Sequence, residues 1–235
     1  MGTNRFESLY SPESEVIYFE RAEVPVSSTE LRVDVCKNWQ YLPPICRPYY
    51  VKRVLIAGGE STGKSTLVQN LAIAYNTNFV REIGRDTCDI AGGEEFMNMD
   101  DLCENLLRQK TEEIKAAQFS NRILFIDTDA VTTKFYAQFL LHDKQEIEKC
   151  FTLADAITAL NRFDLVLFLE PTVEFVQDGT RNETIAEDRE KYSQQIKRLF
   201  RTAGIDFYRL NGDYLDRFNR AKQLIEENFG IRTIW

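Results

Sequence analysis

The sequence predicts an α/β fold in which a mostly parallel sheet lies between two layers of helices. Three observations carry that prediction. A short apolar run, Val54 to Ala57, leads into the spacing G-x-x-x-x-G-K-S from Gly58 through Gly63, Lys64 and Ser65, and a helix-periodic segment follows. Further along, apolar runs suited to buried strands alternate with helical stretches, the pattern that builds parallel sheets. Those runs end in charged or glycine-containing segments, where open sheets of this kind bind ligands.

The glycine-rich spacing fits a phosphate-binding loop, because a strand precedes it and a helix follows. The fold expected is therefore the three-layer sandwich of P-loop NTPase type. Glycines let the backbone wrap closely and aim successive N–H groups at one point. The helix adds the positive end of its dipole. Lys64 can reach the β- and γ-phosphates of ATP, and Ser65 can hold Mg²⁺. Leu67, Val68, Leu71, Ala72 and Tyr75 share one face of the helix.

The elements follow in order. Residues 1–25 are polar around one apolar island, Val16–Phe19, which suits a strand. Ser27 or Ser28 reads as the N-cap of a short helix ended by Pro43 and Pro44. This first fifth is too short to build a core alone. After the phosphate loop, Phe79-Val80 is a short strand, and Glu82 to Arg85 follow its carboxyl end. A long helix is expected over about 95–120, with Leu102, Leu106, Ile114 and Phe119 among its apolar residues. Ile123 to Ile126 is a fully apolar strand ending in Asp127-Thr128-Asp129. Helices are expected near 131–141 and 145–161, then a strand at Leu165–Leu169 stopped by Glu170-Pro171. Residues 174–190 read as a charged loop around Asp178-Gly179-Thr180-Arg181. A helix over 188–203, a strand at Phe207–Leu210, a turn at Asn211–Asp213 and a helix over 214–229 closed by Gly230 complete the chain.

Composition narrows the function classes. A net charge of −8 argues against broad electrostatic binding to nucleic acid. No apolar run approaches the ~20 residues of a membrane span. Five scattered cysteines without a C-x-x-C pair suit reduced thiols in the cytoplasm rather than a disulfide framework or a zinc site. His142 is the sole histidine, so a mechanism needing two is excluded. A homo-oligomer is compatible with all of this.

Five regions converge on the carboxyl edge of the predicted sheet: Gly58–Ser65, Glu82–Arg85, Asp127–Asp129, Glu170–Arg181 and Asn211–Asp213. Asp127 stands where a phosphate-loop enzyme keeps its magnesium-associated carboxylate, and a helix N-cap is its other role. Asp129 suits either a substrate hydroxyl or the cap itself. Glu82 could accept a proton from an attacking hydroxyl, or pair with Arg85 at the surface. Arg181, in its glycine-containing loop, could stabilise charge on a transferring phosphoryl group, or simply be solvated. Arg189 is a weaker candidate for the same task. Residues alone give a P-loop kinase or nucleotide hydrolase acting on something small. An N-K-x-D element is absent, which disfavours a regulatory GTPase.

Several stretches together resemble one family. They are Gly58-Gly59-Glu60-Ser61-Thr62-Gly63-Lys64-Ser65-Thr66, Arg81 to Asp86, Phe125-Ile126-Asp127-Thr128-Asp129 with Val131-Thr132-Thr133, Phe163 to Val166, Asp178 to Arg181, and Gly212 to Phe218. The family is NadR, in which nicotinamide-nucleotide adenylyltransferase is fused to ribosylnicotinamide kinase. The kinase resemblance covers about residues 51–230. Val26-Ser27-Ser28-Thr29-Glu30-Leu31-Arg32 is similar to the I-S-x-T-x-x-R signature closing nucleotidylyltransferase domains, so residues 1–50 look like the tail of such a domain plus a linker. The upstream H-x-G-H motif of that half is absent, so adenylyltransferase activity is not expected of this chain.

The resemblance implies a magnesium–ATP kinase that phosphorylates the 5′-hydroxyl of nicotinamide riboside, with residues 51–235 as its domain. Loop residues 58–66 would hold ATP, and Ser65 and Asp127 would hold Mg²⁺. Glu82, Arg85 and Asp129 would face the riboside, and Arg181 would close over the phosphates. The region after Gly212 would flank the adenine. Ile83 stands where the family usually has an aromatic residue. The competing expectations are a kinase for another nucleoside or small metabolite, and a module that senses ATP or NAD without turnover.

Overall fold

The computed structural model describes residues 25–175 and 187–234. The Val16–Phe19 strand and the loop around Arg181 lie outside the described residues. The chain divides into two compact units, Met1–Leu42 and Pro43–Trp235.

In the first unit, α1 spans Ser28–Val33 and is closed at its start by a capping box: Ser27 Oγ accepts from Glu30 N, and Glu30 Oε2 accepts from Ser27 N at 2.7 Å. The helix stops well before the prolines expected to end it. Asp34 and Asn38 bond nearby backbone instead, Asp34 Oδ1 accepting from Lys37 N and Asn38 Nδ2 donating to Glu30 O and Asp34 O. Such local bonds compete with helix propagation. Trp39–Tyr41 is a separate 3₁₀ turn.

The second unit is built on a five-stranded parallel sheet of order β2-β3-β1-β4-β5. Its strands are β1 (Lys52–Gly58), β2 (Phe79–Val80), β3 (Ile123–Asp127), β4 (Leu165–Leu169) and β5 (Tyr208–Leu210). The central strands read as unbroken apolar runs because both faces are covered. Val54, Leu55, Ile56 and Ala57 are all fully buried. The helices are α2 (Lys64–Ala74), α3 (Gly84–Ala91), α4 (Met99–Phe119), α5 (Ala130–Leu140), α6 (Lys144–Leu160), α7 (Arg189–Thr202) and α8 (Tyr214–Phe229). Helix α2 packs with α8, while α4, α5 and α6 pack with one another, so the sandwich expected from the sequence is what forms.

Residues 84–91 form α3, an element the sequence did not predict. Gly84 opens it without a side-chain cap, and the helix rests on burying Thr87 and Cys88 before Gly92 ends it at φ +89°. Helix α4 starts at Met99 rather than near Glu95, because Asn98 and Asp101 form a capping box there and Glu94–Phe96 makes a 3₁₀ turn. Of its apolar residues, Ile114 and Phe119 are exposed and Leu102 and Leu106 are buried. The inner stripe of α4 is instead completed by polar residues, Asn105 and Glu113.

Candidate functional site

The loop between β1 and α2 has the curvature its glycines anticipate. Gly58 sits at φ +147°, and a Cβ there would lie 2.8 Å from Leu169 O. Gly63 sits at φ +85°, where a Cβ would lie 2.7 Å from the Tyr214 ring. Ser61 also holds a positive φ of 52°. Inside the loop, Thr62 Oγ1 donates to Gly59 O at 2.8 Å and Lys64 Nζ donates to the same oxygen at 3.0 Å. Lys64 is buried, while Thr66 on the first turn of α2 is exposed.

Asp127 closes β3 beside this loop. Ser65 Oγ donates to its Oδ2 at 2.6 Å. Burial, together with the charge of Glu82, pushes the Asp127 carboxyl up to about 6, against the pull of Lys64. The next residue, Thr128, takes a positive φ of 69°. For a β-branched residue that is a strained conformation, and it turns the chain sharply between β3 and α5. Asp129 takes the capping role, one of the two its position allowed. Its Oδ1 caps α5 by accepting from Thr132 N at 3.1 Å. Its Oδ2 is buried and has no hydrogen-bond partner. Burial raises this carboxyl to about 6 as well.

A cavity opens at the carboxyl edge of β2 and β3, with Ser61 and Lys64 at one end. Glu60, Glu82, Arg85 and Asp129 line it, so three of the five predicted regions meet there. Buried Ile83 also lines it, and Cys88, Met97, Leu102 and Leu140 form its apolar end. Counting side chains, the lining carries Glu60, Glu82, Glu94 and Asp129 against Lys64 and Arg85.

Among the described residues, none from the remaining two regions lines this cavity. The Glu170 carboxylate accepts from buried Lys197 Nζ of α7 at 2.7 and 3.0 Å and from Arg209 Nε of β5, forming an ion cluster. Gly212 O accepts from Thr172 Oγ1 at 2.9 Å, and Asp213 caps α8. Arg181 is outside the described residues. Arg189 donates to Val173 O at 2.6 Å and Ser61 O at 3.0 Å.

Three residues around the site, Gln109, Asn105 and Tyr136, were not predicted from the sequence, and a fourth, Arg217, was predicted only as part of the Gly212–Phe218 stretch. Gln109 accepts from Ile83 N at 3.1 Å and donates to Asp127 O at 3.0 Å, tying the Glu82 segment to the Asp127 turn. Asn105 accepts from Thr87 Oγ1 at 2.5 Å and faces the cavity. Tyr136 donates to Glu60 Oε1 at 3.2 Å. Arg217 is buried and grips the phosphate loop from α8. A signal existed for two of them: Asn105 and Gln109 fall on the stripe of Leu102 and Leu106, and polar residues at core spacing call for a partner.

Comparison with known proteins fits this geometry. A family model described as AAA domain matches residues 53–217. The trifunctional NAD biosynthesis/regulator protein NadR of Salmonella typhimurium is 32% identical over 214 residues, covering 90% of this chain and 51% of the relative. The chain thus spans about half the length of the curated relatives it matches. A crystal structure of NadR in complex with NR aligns at a TM-score of 0.81 and 27% identity, covering 94% of this chain and 63% of that one. A second, of NadR in complex with NAD and AMP-PNP, aligns at 0.76 and 26%, covering 93% and 60%. The chain belongs to the AAA domain family, and NadR proteins are its homologues.

Proposed function

We propose that this chain is an ATP-dependent kinase that transfers the γ-phosphoryl group to the 5′-hydroxyl of nicotinamide riboside, giving nicotinamide mononucleotide and ADP. One observation carries the reading: an acid-rich cavity opens beside the phosphate-loop lysine. Nicotinamide riboside bears a fixed positive charge on its ring, and four carboxylates against two cations favour such a guest over a neutral or anionic one. The NadR structure in complex with NR supports the same substrate.

The assignment of roles follows. The backbone amides of residues 58–66 and Lys64 hold the triphosphate. Asp129 offers its Oδ2, which has no hydrogen-bond partner among the described residues, to a ribose hydroxyl, a bond that would satisfy a buried acceptor. Arg85 and Glu82 face the riboside across the cavity. Glu82 takes the proton of the 5′-hydroxyl as its oxygen bonds to the γ-phosphorus and the bond from that phosphorus to the β–γ bridging oxygen breaks. Arg181 stabilises the phosphoryl oxygens during transfer.

The residues present suit magnesium. Ser65 Oγ and Asp127 Oδ2 are hard oxygen donors 2.6 Å apart beside the loop, and magnesium takes few protein ligands when phosphates and water supply the rest. When bound, the ion neutralises charge on the phosphate oxygens. The buried Asp127 carboxylate is positioned to hold it.

Residues 1–50 are assigned to the C-terminal segment of a nucleotidylyltransferase domain with its linker, and residues 51–235 to the kinase. Ser27 of the resembling signature caps α1. No described helix is long and apolar enough to cross a membrane. The assignment to the cytoplasm rests on five scattered cysteines without a C-x-x-C pair. The test is a coupled assay comparing nicotinamide riboside with its neutral 1,4-dihydro form, uridine and adenosine. The cationic riboside should give at least tenfold higher kcat/KM. Equal or better turnover of any neutral nucleoside would remove the substrate assignment.

A further inference from the structure

The outer side of the phosphate loop is held by two arginines from different helices. Arg217, on α8, is 1% exposed. Its Nη1 donates to Thr62 O, and its Nη2 donates to Glu170 O at 2.8 Å and Thr172 Oγ1 at 2.7 Å. Its Nε has no hydrogen-bond partner among the described residues. Arg189, at the start of α7, donates to Ser61 O at 3.0 Å while its other terminal nitrogen holds Val173 O. Two consecutive carbonyls of one loop are therefore each drawn to a guanidinium.

Peptide geometry gives that arrangement a consequence. In a trans peptide the carbonyl of one residue and the N–H of the next point in opposite directions. Fixing Ser61 O and Thr62 O outward fixes the Thr62 and Gly63 amides on the opposite side. We infer that Arg217 and Arg189 are positioning residues for nucleotide binding, holding two successive amides of the phosphate loop aimed at the polyphosphate. The inference rests on the nucleotide site of the proposed function but not on its riboside.

The choice of arginine is explained by its fork. Arg217 bridges acceptors from the loop, from the residue after β4 and from Thr172, which a lysine's single nitrogen cannot reproduce at those angles. Burial lowers the Arg217 guanidinium from its ordinary value and neighbouring Arg189 adds to this, against the pull of Tyr214, Asp213 and Glu170. Tyr214 completes the clamp by packing on Gly63.

The experiment is calorimetric titration of Mg–ATP, tripolyphosphate and nicotinamide riboside, each alone, into the parent, Arg217→Met, Arg217→Lys and Arg189→Met. Both methionine variants should bind Mg–ATP and tripolyphosphate at least tenfold more weakly, with riboside affinity within twofold of the parent. Arg217→Lys should recover only part of the loss. Arg189 is half-exposed, so Arg189→Met keeps the test alive if Arg217→Met does not fold; in it the Thr62 and Gly63 amide resonances should lose most of their tripolyphosphate-induced shift. Folded variants that bind Mg–ATP within twofold of the parent, or lose ATP and riboside equally, overturn the clamp. A parent that binds ATP but ignores the riboside defeats the substrate assignment and leaves the clamp standing.

Discussion

Asp127→Asn should make the ligand-free protein more stable and the enzyme inactive. Burial and Glu82 raise the Asp127 carboxyl from 3.8 to about 6, so its ionised form is penalised in the folded state. Two pKa units correspond to about 3 kcal/mol, and part of that is shared with Glu82, which leaves about 1–3 kcal/mol for asparagine to recover. For a chain of this size that raises Tm by about 2–12 °C. The sign with pH follows from linkage. The folded carboxyl keeps its proton up to about 6 and the unfolded one releases it near 3.8. The penalty is therefore absent below both values, grows between them, and is complete above the folded pKa. Differential scanning calorimetry of parent and variant at pH 4 and pH 7.5, without nucleotide or metal, reads the difference directly. The gain should appear at pH 7.5 and vanish at pH 4. Turnover should fall by about 10² or more, because the lost carboxylate acts where charge develops. A variant less stable than the parent at pH 7.5, or equally shifted at both pH values, would refute the reasoning.

Three further outcomes are expected. Gly63→Ala forces a Cβ to 2.7 Å from the Tyr214 ring at φ +85°, so Tm should drop and ATP affinity should weaken by about tenfold or more, read by calorimetry. Glu82→Gln should lower kcat by about 10²–10⁴ while leaving Mg–ATP affinity near the parent's, a split visible in steady-state kinetics. Burial raises Asp129 to about 6, so below that pH it turns neutral; riboside binding should be several-fold weaker at pH 5 than at pH 7.5, and a flat profile would place the riboside elsewhere.

What the sequence made legible was set by local chemistry. The phosphate loop, the β3 carboxylate and the final helix each carry their own start and stop signals, and β4 and the Tyr214–Phe229 helix form where they were expected. Asp129 could be read only as cap or ligand, because the answer depends on which of its oxygens meets Thr132. Helix α3 was hidden because nothing in Gly84–Ala91 caps it, and its face is buried by partners distant in sequence. Glu170 seemed a member of the cleft because it ends a strand there, yet buried Lys197 draws its carboxylate away. Arg217 lies in the Gly212–Phe218 stretch that carries the family resemblance, but its contacts are not legible there. Its value lies in three acceptors that come together only when the loop, β4 and α8 have assembled.

The central claim is that the acidic cavity and the phosphate loop act on one molecule together. Incubating the purified chain with Mg–ATP and nicotinamide riboside, and following both nucleotides by mass spectrometry, tests it most directly. The account predicts nicotinamide mononucleotide and ADP in equal amounts, with formation of both abolished by Lys64→Ala. ADP released at the same rate without the riboside, or ATP bound with no riboside-dependent turnover, would contradict it.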